Sequence, residues 1–227
     1  MLKGSTIVFD LDGTLVDTAP DLTNALNVVL TGHGHRPVPL ETVRLCVGHG
    51  ARVMIEQALR RAGADDDVDR MLAEFLAHYE ANIAAESRPF PGAVAALDSF
   101  TAQRATLAIC TNKRESLSRR LLEELRLDHY FSAIAGRDTF AVSKPDPGHL
   151  TGTIALAGGD PSRALMIGDS EVDLRTAEAA GVPIVLVSFG YATQPLHGLS
   201  AEVLIDHFDE LVPHVAALLN GLGTRPS

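Results

Sequence analysis

The sequence has few cysteines, no basic run and no long apolar stretch, and each absence removes a class of function. Its two cysteines, Cys46 and Cys110, lie inside apolar segments at no metal or redox spacing. Buried free thiols in a reducing cytosol are the expectation, not a disulfide framework. Formal net charge is -10, from 19 Lys+Arg against 29 Asp+Glu, and the basic residues do not cluster. That leaves no electrostatic footprint for nucleic acid, although a local pocket can still be positive. The longest apolar stretches, such as Ile184 to Val187, fall far short of the roughly 18 residues a membrane span requires. The opening Met1-Leu2-Lys3-Gly4 runs straight into a strand and leaves no room for a signal peptide, so a cytoplasmic location is expected. What is present is 227 residues at 46% hydrophobic, enough for a core that needs no staples.

Short β-branched runs alternate with helical patterns: Thr6 to Phe9, Thr106 to Cys110, Ala133 to Ala135, Leu165 to Ile167 and Ile184 to Val187. This predicts an α/β fold, a Rossmann-like parallel sheet with helices on both faces. Between the first two strands lie about a hundred residues without a strand signal, far more than one crossover helix needs. Helical spacing fills that interval. Thr18-Ala19-Pro20-Asp21 reads as a helix start followed by Leu22, Ala25, Leu26, Val29 and Leu30. A second helix is expected from about Ala51 to Ala62, and a third from about Asp67 to Ala85. The expected division is a helical cap over residues 17–85 and a catalytic core over 1–16 and 86–227. Arg88-Pro89-Phe90-Pro91-Gly92 reads as the stiff return between them.

In an open parallel sheet, ligands bind where the carboxyl ends of the strands meet a reversal of strand order. Polar residues fall at four such ends: Asp10 and Asp12, Thr111 and Asn112, Lys144, and Asp169 with Asp173. A carboxylate with an ordinary pKa of about 3.9 is ionised at neutral pH, so Asp10 can attack phosphorus and form an aspartyl-phosphate. Asp12 can protonate the leaving alcohol and then deprotonate water. Gly13 lets the backbone turn beneath a phosphate, and Thr111 can donate its hydroxyl to a phosphoryl oxygen. Asp10, Asp12 and Asp169 around a phosphate dianion demand a hard divalent cation, typically Mg²⁺, and a lysine, for which Lys144 is the candidate. Each motif alone has a plain structural explanation, a turn for Asp10-Leu11-Asp12-Gly13 or a helix start for Gly168-Asp169. Their joint order does not.

These motifs resemble the haloacid dehalogenase superfamily, in its phosphatase branch with a helical cap. Asp10-Leu11-Asp12-Gly13-Thr14 is similar to the first motif, Thr111-Asn112 to the second, Lys144-Pro145 to the third, and Gly168-Asp169-Ser170 with Asp173 to the fourth. The resemblance implies that Asp10 is nucleophile and metal ligand. It implies that Asp12 is the acid/base and binds metal through its carbonyl, and that Asp169 and Asp173 hold the metal directly or through water. Val16-Asp17, Val47-Gly48-His49-Gly50-Ala51, Thr111-Asn112-Lys113, Lys144-Pro145-Asp146-Pro147 and Ser188-Phe189-Gly190-Tyr191 are similar to the phosphoglycolate phosphatases of that family. A small phosphorylated metabolite is therefore the expected partner, with Asn112, His49 and Arg52 as further substrate-binding candidates. The remaining histidines and the Asp65-Asp66-Asp67 run read as surface groups or a helix start. The same chemistry on pyrophosphate or a sugar phosphate, as phosphatase or mutase, stays open, as does monomer or homodimer. A phosphorelay receiver also gathers acids, a Thr and a Lys at strand ends, but lacks an insert of this size.

Overall fold

A computed structural model describes residues 2–48, 50–192 and 201–222, with Leu222 described by its backbone alone. Six strands form one parallel sheet: β1 (Thr6–Phe9), β4 (Thr106–Cys110), β5 (Ala133–Ala135), β6 (Ala164–Gly168), β7 (Ile184–Val187) and β8 (Val203–Ile205), in the order β5-β4-β1-β6-β7-β8. The chain builds outward from β1 first on one side and then on the other, so the switch of strand order falls at β1.

Alternation along the strands sends side chains to two cores. Phe9, Ile109, Ile167 and Val187 join one face with α5 (Ala93–Ala102), α6 (Glu115–Glu124) and α9 (Leu211–Leu222). Val8, Ala108, Met166 and Leu186 face the other with α7 (Pro147–Leu156) and α8 (Glu171–Ala180). Burial on both sides explains why the strands read as continuous apolar runs rather than alternating ones. Phe9 is fully buried with its ring tilted against Phe100 of α5, centroids 6.2 Å apart, and truncating such a residue costs about 3–5 kcal/mol.

Between β1 and β4 the chain forms α1 (Ala19–Gly32), α2 (Leu40–Arg44), α3 (Ala51–Ala62) and α4 (Val68–Ala81). Leu26, Met54, Ile55, Met71 and Phe75 form its interior. The third expected helix is shorter than the apolar stripe suggests. Asp67 caps its start by accepting from the Arg70 N–H at 3.1 Å, and it ends at Ala81, so Ile83 is buried from the loop beyond.

Two features of the entry and return escape a sequence reading. The interval without strand signal contains a two-residue antiparallel ladder, β2 (Val16–Asp17) against β3 (Arg88–Pro89), too short to show a period. Asp21, read as a first-turn acid of α1, instead turns its buried carboxylate to the return segment. It accepts from the Glu86 N–H, the Ser87 N–H at 2.8 Å and the Ser87 hydroxyl at 2.6 Å. Thr18 makes no side-chain cap.

Candidate active site

The loops after β1, β4, β5 and β6 converge below the helical insert on a cleft of about 580 Å³, within the range of small-molecule sites. The ladder extends beyond the strands to hold the first loop residues: the Asp10 N–H donates to Ile167 O at 2.9 Å and the Thr111 N–H to Ala135 O at 3.0 Å. Asp10, Asp12, Thr111, Asn112 and Lys144 all line the cleft.

Lys144 is the hub. Its buried ammonium lies 2.8 Å from Asp10 Oδ1 and donates to Asp173 Oδ1 at 2.5 Å. The Asp10 contact is close enough for an ion pair but lacks hydrogen-bond alignment, and that oxygen has no other donor among the described residues. Burial alone would lower the lysine, but Asp10 and Asp173 together outweigh it and hold the ammonium above its usual range. Asp10 is raised as well, which in a carboxyl group favours the neutral form. Burial, only partly offset by Lys144, pushes its carboxyl up to about 6, so it is largely ionised at neutral pH and more basic than an exposed aspartate.

Asp169 accepts from the Thr14 hydroxyl at 2.9 Å and the Tyr191 N–H at 2.6 Å. Burial, then the charges of Asp173 and Asp10, raise it well above the usual carboxylate range. Asp173 completes a capping box with Ser170 at the start of α8. With one oxygen on Lys144 and the other accepting from the Ser170 hydroxyl at 2.6 Å, its lone pairs are largely used. Oxygens of Asp10, Asp169 and Asp173 all lie within 4.8 Å of one another. Three buried carboxylates against one ammonium leave an excess of negative charge that low dielectric makes expensive. The unaligned Asp10 oxygen and the all-oxygen donor set fit a hard divalent cation.

Asp12 shares the cleft with Asp10 but not its partners. Its Oδ1 accepts from Lys113 Nζ at 2.8 Å, and that ammonium sits 4.7 Å above the Tyr79 ring of α4. Two glycines make room for the acids. Gly13 has φ +86°, and a Cβ there would stand 2.5 Å from Asp169 Oδ2 and 2.6 Å from the Tyr191 ring. At Gly190 a Cβ would stand 2.3 Å from Asp169 Cβ. The Thr111 oxygen accepts from the Lys113 N–H at 3.2 Å, and among the described residues its hydroxyl proton is free to donate. Asn112 donates to Lys144 O at 3.1 Å and to Gly48 O at 3.3 Å, linking the third-motif loop to the helical insert.

Of the two candidates on the insert, Arg52 lines the cleft, but its guanidinium is engaged by Asp69 and lies 4.0 Å from Glu56. His49 lies outside the described residues. Residues to which sequence reasoning gave no role in the site are Thr14, Lys113, His149 and Tyr191. Tyr191 ties the site to the entry of the insert: its hydroxyl donates to Asp17 at 2.5 Å and accepts from the Ala19 N–H at 2.9 Å. The expectation of surface histidines is overturned at His149, which is fully buried; His33 and His35 are half-buried and pair with Asp66.

A family model for haloacid dehalogenase-like hydrolases matches residues 7–187. The chain is 51% identical over 216 residues to a phosphoglycolate phosphatase of Mesorhizobium japonicum, covering 94% of this chain and 95% of that one. It is 47% identical over 210 residues to one of Caulobacter vibrioides, covering 91% and 89%. The crystal structure of a predicted phosphoglycolate phosphatase from Haemophilus somnus matches with a TM-score of 0.88 at 27% identity, covering 94% and 98%.

Proposed function

Because the chain belongs to the haloacid dehalogenase-like hydrolases, we propose that it hydrolyses 2-phosphoglycolate to glycolate and phosphate through an aspartyl-phosphate on Asp10. The observation that carries the chemistry is the buried set of Asp10, Lys144, Asp173 and Asp169 at the switch point of the sheet. The names of the relatives that cover nearly the whole chain support the substrate.

An Asp10 oxygen attacks phosphorus, and the bond to the glycolate oxygen breaks. Asp12, held in place by Lys113, gives the leaving oxygen a proton. In the second half, Asp12 takes a proton from water as that water attacks phosphorus, and the Asp10 carboxylate is released. Lys144 and the Thr111 hydroxyl bind phosphoryl oxygens, which is where most of the catalysis in phosphoryl transfer arises. Asp10, Asp169 and the Asp12 carbonyl would hold Mg²⁺, with Asp173 orienting Lys144 and Ser170 behind them. Bound there, Mg²⁺ supplies charge neutralisation for the carboxylates and the phosphoryl group. The helices of residues 17–85 serve as a cap that excludes bulk water during turnover.

The test is phosphate release from a panel of phosphorylated metabolites with and without Mg²⁺. 2-Phosphoglycolate should give the highest kcat/KM, Mg²⁺ should be required, and Asp10→Asn should lose about 10⁴-fold or more. A fully active Asp10→Asn enzyme would sink the mechanism. A clear optimum elsewhere in the panel would remove the substrate assignment.

A further inference from the structure

Five cationic side chains line the cleft: Arg52, Lys113, Arg114, Arg137 and Lys144. Three are already engaged by carboxylates of the protein. Lys144 faces Asp10 and Asp173, Lys113 faces Asp12, and Arg52 faces Asp69. Among the described residues, neither Arg137 nor Arg114 has an acidic partner.

Arg137 is the better placed of the two. It follows β5, and its backbone N–H donates to Lys113 O at 2.9 Å, which anchors it beside the lysine that holds Asp12. Its guanidinium reaches across to the helical insert, where a Cβ built on Gly50 would lie 3.0 Å from one of its terminal nitrogens. The exposed guanidinium thus stands in the gap between insert and core, within the same cleft as Asp10 and Thr111.

The proposed substrate carries two anions, a phosphate and a carboxylate joined through one methylene. The phosphate is met by Lys144 and Thr111. Its carboxylate needs a second cation, one not already neutralised by the protein. A guanidinium suits that role because its fork matches a carboxylate with two parallel hydrogen bonds. We infer that Arg137 binds the carboxylate of the substrate and sets the preference for a carboxylated phosphate ester. The inference rests on the proposed function and deepens it. It moves the substrate-selecting cation from Arg52 on the insert to the loop after β5.

The experiment compares two substrates and three enzymes, all with Mg²⁺. The substrates are 2-phosphoglycolate and 2-hydroxyethyl phosphate, which replaces the carboxylate by a hydroxymethyl group. The enzymes are wild type, Arg137→Gln and Arg137→Lys. Wild type should favour 2-phosphoglycolate. Arg137→Gln should lose about 10- to 100-fold in kcat/KM on it, the worth of a charge-assisted hydrogen-bond pair, while its rate on 2-hydroxyethyl phosphate stays within about twofold. Arg137→Lys should recover part of the preference. A preference retained in Arg137→Gln, or equal losses on both substrates, overturns the inference and leaves the functional reading intact. An equal loss of preference in Arg114→Gln overturns the assignment to Arg137. Wild type without preference for 2-phosphoglycolate removes the functional reading and the inference with it.

Discussion

His149 accepts a hydrogen bond from the backbone N–H of Lys144 through Nδ1 at 3.2 Å, and its other nitrogen donates to Gly136 O at 3.0 Å. The imidazole is fully buried on α7, so it joins the start of the third-motif loop to the end of β5 from below. Burial, then the nearby Lys144 charge, lowers its pKa to about 4, which keeps the ring neutral and Nδ1 available as an acceptor.

His149→Phe keeps the aromatic volume but removes both polar partners. The buried Lys144 N–H is left unmet, at about 1–3 kcal/mol, while Gly136 O keeps its bond from the Thr139 N–H at 3.1 Å. Stability should fall by about 1–3 kcal/mol in urea unfolding. Activity per folded molecule should fall about tenfold or more, because a small displacement of Lys144 weakens its grip on the phosphoryl group. Wild-type activity in a merely destabilised His149→Phe would remove the positioning role. The folded pKa lies below the ordinary value of about 6.5, so this histidine contributes stability above that value. The contribution declines as pH falls toward about 4, because the unfolded chain then binds the proton more readily.

Asp21 makes a second prediction, about the return from the insert. Its buried carboxylate satisfies two backbone N–H groups and a hydroxyl of Glu86 and Ser87. Asp21→Ala leaves those donors without acceptors next to the β2–β3 ladder and should cost about 3 kcal/mol. Hydrogen exchange should rise first at the amides of residues 86–89. An unchanged urea midpoint would show that water replaces the carboxylate without cost.

These two side chains also mark the limit of what the sequence discloses. β1, β4, β5, β6 and β7 are legible because continuous β-branched runs reflect burial on both faces, and Asp10, Thr111, Lys144 and Asp169 are legible because loops after such strands must converge. The β2–β3 ladder and α2 are too short to carry a period, and β8 offers only three residues. Partners that meet only through the tertiary fold leave no local trace. Lys113 reaches Asp12 from 101 positions away, and the Tyr191 N–H reaches Asp169 from 22. A neutral buried histidine such as His149 has no pattern that distinguishes it from a surface one. Asp21 misleads for a related reason: an acid in a first helical turn has a sufficient local explanation, and its actual partners lie 65 and 66 residues on.

The acidic pair on the insert predicts the opposite pH response from His149. His33 bonds Asp66 at 3.0 Å and Glu74 at 2.9 Å, joining the end of α1 to α4 with only 11% of its side chain exposed. Hydrogen bonds to Glu74 and then Asp66 raise its pKa above the ordinary value of 6.5. A raised histidine stabilises fully below its unfolded pKa and loses that contribution as pH rises through the folded one. Wild type should therefore lose unfolding free energy relative to His33→Gln as pH rises from the ordinary value of about 6.5 through the raised folded one. Parallel pH profiles for the two proteins would show that the ring stays neutral.

The charge balance of the site yields the last prediction. Three buried carboxylates surround one ammonium, so the metal-free protein carries repulsion that a bound cation relieves. Mg²⁺ should raise the thermal midpoint, by about 2.7 kcal/mol of stability at a hundredfold excess over Kd, and a chelator should reverse the rise. Asp169→Asn tests the origin of the effect. The Thr14 hydroxyl can rotate to accept from the new amide while the Tyr191 N–H still finds an oxygen, so the hydrogen bonds survive and only the charge is lost. The metal-free variant should melt at or above wild type, and its response to Mg²⁺ should largely vanish. A variant that melts lower without metal yet keeps the full Mg²⁺ response would show that Asp169 serves packing and that the cation sits elsewhere.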